Sequence, residues 1–339
     1  MAISEAKFET AVAAGQPCAF ERSIWSWANA YKISFSIFAL NELGVLKFIA
    51  QDFHAAGEVA AQLGLNEELL QPLLELVASV GVLQQSGQAF RAPQGIETTL
   101  PLLVMESRLS ASHVTASQIA QVIRTGKAAD IFQGPNVTEY IPVFTAAMRS
   151  SARTLAPHLL RFGNLRHCRR ILDLGGADGS LALALRHLAP HLSIDVVDLP
   201  RMQAAFEKNI NDYGAGAAIQ FHAADLRRPE SLGGLLDNVD TIIISNVIHL
   251  LTPLERAELY RAIRQHGPKD ASFLVYDQFI DHDAPLNATH CMAVDWIING
   301  VQFRETPQQL CKILEAGGFY DAQYRCFRGL PGAVVAARL

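Results

Sequence analysis

Arg170-Ile-Leu-Asp-Leu-Gly-Gly-Ala-Asp-Gly179, running straight into Ser180-Leu-Ala-Leu-Ala-Leu-Arg-His-Leu188, is the stretch that decides the fold. A short apolar run that ends in clustered glycines and passes into a helical pattern reads as the first strand, loop and helix of a nucleotide-binding α/β sheet. Glycines in the loop let backbone approach a ligand closely, and an acid at the end of the next strand, about 20 residues on, takes ribose hydroxyls. Asp198, in Ile194-Asp-Val-Val-Asp-Leu-Pro200, stands 25 residues after Asp173 and meets that demand.

The loop also indicates which nucleotide it holds. It has neither Gly-x-Gly-x-x-Gly nor Gly-Lys-Ser/Thr, and Asp178 stands where a diphosphate would need bare amides or a cation. S-adenosylmethionine (SAM) carries no phosphate and has a cationic sulfonium, so acids around its site are tolerable or helpful. The loop and its spaced acid therefore predict a SAM site.

Composition bounds the rest. With 339 residues, half of them hydrophobic, the chain is long enough for two domains with real cores. A net charge of −5 points away from nucleic acid and anionic membrane. Five cysteines without a Cys-x-x-Cys pair fit reduced thiols in a cytoplasm. The start shows no signal-peptide core, and the apolar run from Ile24 to Ile49 is broken by Lys32, Glu42 and Lys47, so buried helices are expected there rather than a membrane span.

Residues 55–91 read helix, turn, helix and hairpin, with Asn66 as an N-cap, which is a winged-helix pattern. From Ala55 to Phe90 there is no Lys or Arg, while Glu58, Glu67, Glu68 and Glu75 are present. Phosphate contacts require cations, so dimerisation is the expected use rather than DNA binding. Residues 101–160 read as a helical linker and pocket wall, where Tyr140, Phe144 and Met148 share one helix face at i, i+4 and i+8. From Leu165 onward strands and helices alternate, as in a doubly wound sheet, and Tyr320 to Arg338 reads as a closing antiparallel hairpin. The expected domains are 1–100 for dimerisation, 101–160 for the linker and 161–339 for cofactor binding.

Chemistry is expected at the carboxyl edge of that sheet. After the strand Val239 to Ile244 comes Ser245-Asn-Val-Ile-His249-Leu-Leu-Thr252-Pro-Leu-Glu255, in which Thr252, Pro253 and Glu255 form a capping box. His249 thus falls in the loop between strand and helix. Methyl transfer to a hydroxyl needs the proton removed, and a neutral histidine suits that role. Its orienting acid is either Asp277, at the end of the strand Phe273 to Tyr276, or Glu305, just before a second capped helix. His290 and Cys291 are adjacent and would point apart, so no metal set is expected.

These motifs, Asp173-Leu-Gly-Gly176, Val197-Asp-Leu-Pro200, Ala224-Asp-Leu226 and Ser245-Asn-Val-Ile-His249, together with Phe144-Thr-Ala-Ala-Met148 and Gly317-Gly-Phe319, resemble the small-molecule O-methyltransferases typified by caffeic acid and hydroxyindole O-methyltransferases, including bacterial natural-product members. The resemblance spans essentially the whole chain. It implies an α/β fold, with a Rossmann-like SAM-binding doubly wound sheet and an N-terminal all-α winged-helix dimerisation domain in a homodimer. It further implies SAM held by Asp173, Gly175, Gly176, Asp198, Leu199, Asp225, Leu226, Ser245 and Asn246, with S-adenosyl-L-homocysteine as product. His249 would be the general base, and Tyr140, Phe144, Met148, Trp296 and Ile298 would line the acceptor pocket. Three departures stand out, one being that the segment Asp295 to Thr306 is a few residues shorter than is typical of the family. Leu250-Leu251 follows the histidine where the family has Asp-Trp. The late Glu-Arg-Thr appears as Arg304-Glu305-Thr306, so an ungapped match puts Arg304 at the position of a catalytic acid. The expected function is O-methylation of a small aromatic secondary metabolite. A carbon or nitrogen acceptor, or a SAM-binding cyclisation or rearrangement enzyme, are the alternatives.

Overall fold

Ile171 packs into the core on one face of its strand, Leu172 and Leu174 into the core on the other, so the strand is buried on both sides. That is the pattern of a parallel sheet covered by helices on each face. The structure is a computed structural model describing residues 24, 26–128, 137–214, 216, 218–279, 288–300, 303, 305–327 and 332–339. The chain divides into two compact units, with the boundary between Ser107 and Arg108.

In the first unit, helices α1 (Tyr31–Glu42), α2 (Val45–Phe48), α3 (Ala56–Leu63) and α4 (Glu67–Ser79) surround a core of Leu40, Leu46, Ile49, Val59, Leu74, Val77 and Phe90. Asn66 caps α4, its side chain accepting from the Leu69 amide at 2.9 Å. The hairpin β2 (Gln84–Ser86) and β3 (Ala89–Arg91) joins β1 (His54–Ala55) in a three-stranded sheet of order β1-β3-β2. Buried helices were expected over the apolar run from Ile24 to Ile49. Leu40 and Leu46 are buried, but Trp27, Tyr31 and Phe35 are 65%, 53% and 49% exposed. Their spacing at i, i+4 and i+8 makes an aromatic stripe along the helical path.

Helix α5 (Leu100–Ser112) spans the unit boundary and is followed by α6 (Ala116–Thr125) and α7 (Val137–Phe162). Residues 101–160 were expected to form a linker and pocket wall. The last half of α7 is core of the second unit instead, placing Leu155, Ala156 and Leu159 among Ile171, Ile243 and Leu274 of the sheet. The sheet has seven strands in the order β6-β5-β4-β7-β8-β10-β9. These are β4 (Arg170–Leu174), β5 (Ser193–Asp198), β6 (Ile219–Ala223), β7 (Thr241–Ser245), β8 (Ser272–Asp277), β9 (Tyr320–Cys326) and β10 (Ala333–Arg338). Strands β4 to β8 run parallel, and the final hairpin adds β10 antiparallel to β8. Helix α8 (Ser180–Leu188) lies on the α7 face; α9 (Gln203–Asp212) contributes Phe206 and Ile210 there. On the other face α10 (Pro253–His266) supplies Leu259 and Ile263, and α12 (Pro307–Ala316) supplies Leu310 and Leu314; α11 (Ala288–Ile298) precedes α12.

The chain leaves β4 toward β5 and β6, then returns to β7 on the other side. This reversal opens a crevice beyond the carboxyl ends of β4 and β7, where open α/β sheets bind ligands.

Candidate active site

At the end of β4 the backbone turns at Gly175 with φ +79°, and a Cβ there would collide with the Val247 side chain. Only glycine lets this loop pass so close to the end of β7. The Gly175 amide donates to the Val197 carbonyl at 2.7 Å. Asp198, at the end of β5, accepts from the Ala177 amide at 2.8 Å and from the Leu199 amide at 2.7 Å. Its carboxylate thus holds the glycine loop in place, and each oxygen keeps a further lone pair for a ligand hydroxyl. Burial raises the Asp198 carboxyl, against the pull of those two amides and of Arg201.

Asp173 lies deeper, 1% exposed. Neither carboxylate oxygen has a hydrogen-bond partner. Burial, and next the nearby Asp198 carboxylate, push its pKa up to about 7. An unsatisfied buried carboxylate costs folding free energy unless a cation or donor meets it. The Asn246 side-chain oxygen, just past β7, is likewise buried without a partner, on a residue with φ +54°. Asp178 turns inward, its Oδ1 capping the Ser180 amide at 3.1 Å while Oδ2 takes Arg149 of α7 at 3.2 Å. Asp225, which the resemblance implies holds SAM, is forked against Arg227 at 2.7 Å, and that hydrogen bond lowers its pKa. Leu226 beside it is buried.

The Asp173 shift has a testable sign. Its folded-state pKa is raised above the unfolded value, so the folded chain holds a proton that the unfolded chain loses between pH 4 and 7. Stability of the ligand-free protein then falls as pH rises through that window, by on the order of 4 kcal/mol in total. Asp173→Asn should remove most of that slope. Thermal melts of the ligand-free protein at several pH values check this, and an unchanged slope in the variant would place the effect elsewhere.

His249 occupies a short 3-10 turn, Ile248–Leu250, after β7, and the Thr252–Glu255 capping box starts α10 directly behind it. Its Nδ1 lies 2.8 Å from Oδ1 of Asp277, whose side chain is fully buried at the end of β8. Asp277 also accepts from the Gln278 amide at 2.8 Å and the His249 amide at 3.3 Å. Against an accepting carboxylate oxygen Nδ1 is the donor, which in a neutral imidazole leaves Nε2 with its lone pair. Sequence left Asp277 and Glu305 as equal candidates for this contact. The structure brings Asp277 to His249 and turns Glu305 to Arg256, at 2.6 Å. Arg304 lies outside the described residues.

Trp296 of α11 stacks on the His249 ring, centroids 5.7 Å apart at 26°. Phe303 stands edge-on to both, 6.4 Å from His249 and 5.5 Å from Trp296, with Phe279 behind it at 5.7 Å. Sequence reading named Trp296 but neither phenylalanine; the one signal for Phe303 was its place beside Arg304 and Glu305. Tyr140 and Phe144 of α7 lie 5.9 Å apart and Met148 follows half-buried, while Ile298 is fully buried. Among the described residues no group of three or more His, Cys, Asp or Glu could hold a metal ion, and no described helix is long and apolar enough to cross a membrane.

A mostly parallel sheet with a glycine loop at its switch point carries a spaced acid on the next strand and a His–Asp pair at the same edge, an arrangement suited to a nucleotide cofactor. Comparison with known proteins specifies the class. Residues 132–320 match the O-methyltransferase domain family, and residues 25–99 match the O-methyltransferase dimerisation domain. The chain belongs to the O-methyltransferase family. It is 23% identical over 303 residues to the tetracenomycin polyketide synthesis 8-O-methyl transferase of Streptomyces glaucescens, covering 85% of this chain and 88% of that one. It is 24% identical to the acetylserotonin O-methyltransferase of Bos taurus, covering 92% and 96%. The crystal structure of human N-acetylserotonin methyltransferase in complex with SAM shares the fold, with a TM-score of 0.72 at 21% identity over 95% of this chain and 98% of that one.

Proposed function

We propose that the chain transfers a methyl group from SAM to a hydroxyl of a small aromatic metabolite, with His249 as general base and Asp277 as the acid that orients it. The observation carrying this reading is the 2.8 Å contact between His249 Nδ1 and the fully buried Asp277. The residues at the switch point suit SAM. The Gly175–Gly176 turn packs its backbone against Val247, Val196 and Asp173, where a Cβ would collide, and the unpartnered Asp173 carboxylate and Asn246 oxygen await donors. A cofactor bearing an ammonium and a sulfonium, and no phosphate, answers to such acids. Asp198 would take ribose hydroxyls, with Asp225 and Leu226 at the adenine and Leu199 and Ser245 alongside.

When bound, SAM supplies an electron-poor methyl group on sulfur and leaves as S-adenosyl-L-homocysteine. The protein's own part is to position the acceptor and move one proton. Nε2 of His249 takes the hydroxyl proton, and Asp277 stabilises the imidazolium that results. Trp296 and Phe303 shield that exchange from water, which strengthens the His–Asp interaction. Tyr140, Phe144 and Met148 form an apolar wall for an aromatic ring. Two relatives are named for a polyketide and for acetylserotonin, acceptors of the aromatic kind proposed here.

The first unit would pair two copies of the chain, its exposed Trp27, Tyr31 and Phe35 stripe supplying apolar surface for that contact. Sedimentation at working concentration should then give twice the 37.0 kDa chain mass; a single-chain mass would remove the homodimer.

The function itself is tested by incubating the native protein with SAM and a panel of phenols and measuring S-adenosyl-L-homocysteine release. Turnover should survive EDTA, since a histidine rather than a metal-bound group removes the proton. Loss of turnover on chelation would overturn that assignment. Conversion of an acceptor with SAM unconsumed would mark a cyclisation or rearrangement enzyme instead.

A further inference from the structure

Arg256 is a buried cation of the second unit. It sits in the first turn of α10, where the helix dipole disfavours a cation, and it is 4% exposed, where burial disfavours one too. Such a residue persists only if its donors are engaged. Nη1 donates to the Leu251 carbonyl at 2.6 Å and to the Ile248 carbonyl at 3.2 Å, and Nη2 donates to Glu305 Oε1 at 2.6 Å. The two carbonyls belong to the residues bracketing the His249–Leu250 step. The guanidinium also lies over the Phe303 ring, 5.4 Å from its centroid, and Phe303 is edge-on to His249.

We infer that Arg256 is the positioning residue for His249, and that Glu305 acts on His249 only through Arg256, as the counter-ion of that clamp. Asp277 holds the imidazole from its Nδ1 side. Arg256 fixes the backbone from which the imidazole projects and the aromatic wall beside it. Three acceptors in different directions need the planar fork of a guanidinium, which a lysine ammonium on a flexible stem does not reproduce. Glu305 has one carboxylate oxygen on Arg256 and the other buried without a partner, so its bonding to this part of the site runs through the guanidinium. This inference rests on the reading of His249 as the base, but its structural half can be read without turnover.

The experiment uses the full-length protein labelled with 15N-histidine, as native chain, Arg256→Lys, Glu305→Gln and the control Arg264→Gln, which alters another α10 arginine, bonded among the described residues to the Gly318 carbonyl. The His249 ring nitrogen shifts report its tautomer, and kcat, acceptor KM and SAM affinity are measured on one phenol that the native protein methylates. Native protein and Arg264→Gln should show His249 protonated at Nδ1. Arg256→Lys should lose that single tautomer and about tenfold or more in kcat, with SAM affinity held within about twofold. Glu305→Gln, whose amide oxygen still accepts from Nη2, should keep the tautomer and lose about threefold or less in kcat. If Arg256→Lys leaves tautomer and kcat as in the native chain, the inference is overturned. The same holds if Glu305→Gln disturbs the tautomer as strongly as Asp277→Asn, a comparison that serves even if Arg256→Lys does not fold. If instead the tautomer responds as expected but His249→Ala retains full turnover, the clamp stands and the base assignment falls.

Discussion

His249→Ala should lower kcat by about 10² to 10⁴ while leaving SAM affinity within about twofold. The ring lies at the carboxyl edge of the sheet, after β7, and touches Asp277, Trp296 and Phe303. Removing it takes away the proposed proton acceptor without altering Gly175, Asp198 or Asp173, the groups proposed to hold SAM. Loss of kcat with unchanged SAM affinity is the signature of an interaction made only in the transition state. An equal loss of SAM affinity would show instead that the turn is part of the cofactor site. Stability should fall by about 1–3 kcal/mol, because the buried Asp277 carboxylate loses a donor, while the Ile248–Leu251 backbone stays held by Arg256.

Asp277→Asn should cost about 10³ to 10⁴ in kcat, comparable with losing the histidine, although the change is nearly isosteric. Asp277 accepts three hydrogen bonds, from His249 Nδ1 and from the amides of His249 and Gln278. An asparagine offers one accepting oxygen and a donating NH2, so at least one of those donors is left facing a donor. If that is Nδ1, the imidazole adopts the wrong tautomer and Nε2 cannot take a proton. If it is a backbone amide, a buried polar group is unsatisfied at a stability cost of about 1–3 kcal/mol. Because the two residues act as one unit, the double variant should be about as slow as His249→Ala alone. Multiplying losses would mean that Asp277 serves catalysis by a route independent of His249.

What the sequence displayed well was local. The strand, glycine turn and helix of residues 170–188, the Asn66 cap, the Thr252–Glu255 capping box and the capped helix start after Glu305 are written in neighbouring residues, and each is found where expected. Asp277 and Glu305 could not be separated, because each ends or precedes an element at the same edge. Strand register decides between them: Ser245 pairs with Tyr276 and the Asn246 amide donates to the Tyr276 carbonyl, which sets Asp277 beside the turn carrying His249. Such pairing across 28 residues has no local signature.

Arg256 was missed although its signal was present. Positions 256, 259, 260 and 263 share the buried face of α10, and a cation among Leu259, Tyr260 and Ile263 needs a partner. Tyr260 itself has a buried hydroxyl without a partner and a pKa raised by burial and by Glu305, so the polar group under His249 extends one helix turn further. The reach of residues 101–160 was misjudged for a related reason. Helix α7 has one amphipathic pattern along its length, and only its packing shows Leu155 and Leu159 joining the sheet core. Buried helices were expected over residues 24–49, yet Trp27, Tyr31 and Phe35 are exposed, because a helix face that packs within the chain and one left for another surface share the same spacing.

The most direct test of the account is the fate of the methyl carbon. SAM labelled with 13C in its methyl group, incubated with the native protein and a phenol, should yield a product whose labelled carbon has the chemical shift of an aryl methyl ether, one per S-adenosyl-L-homocysteine released. A label found on nitrogen or ring carbon, or SAM recovered intact beside a converted acceptor, would contradict it.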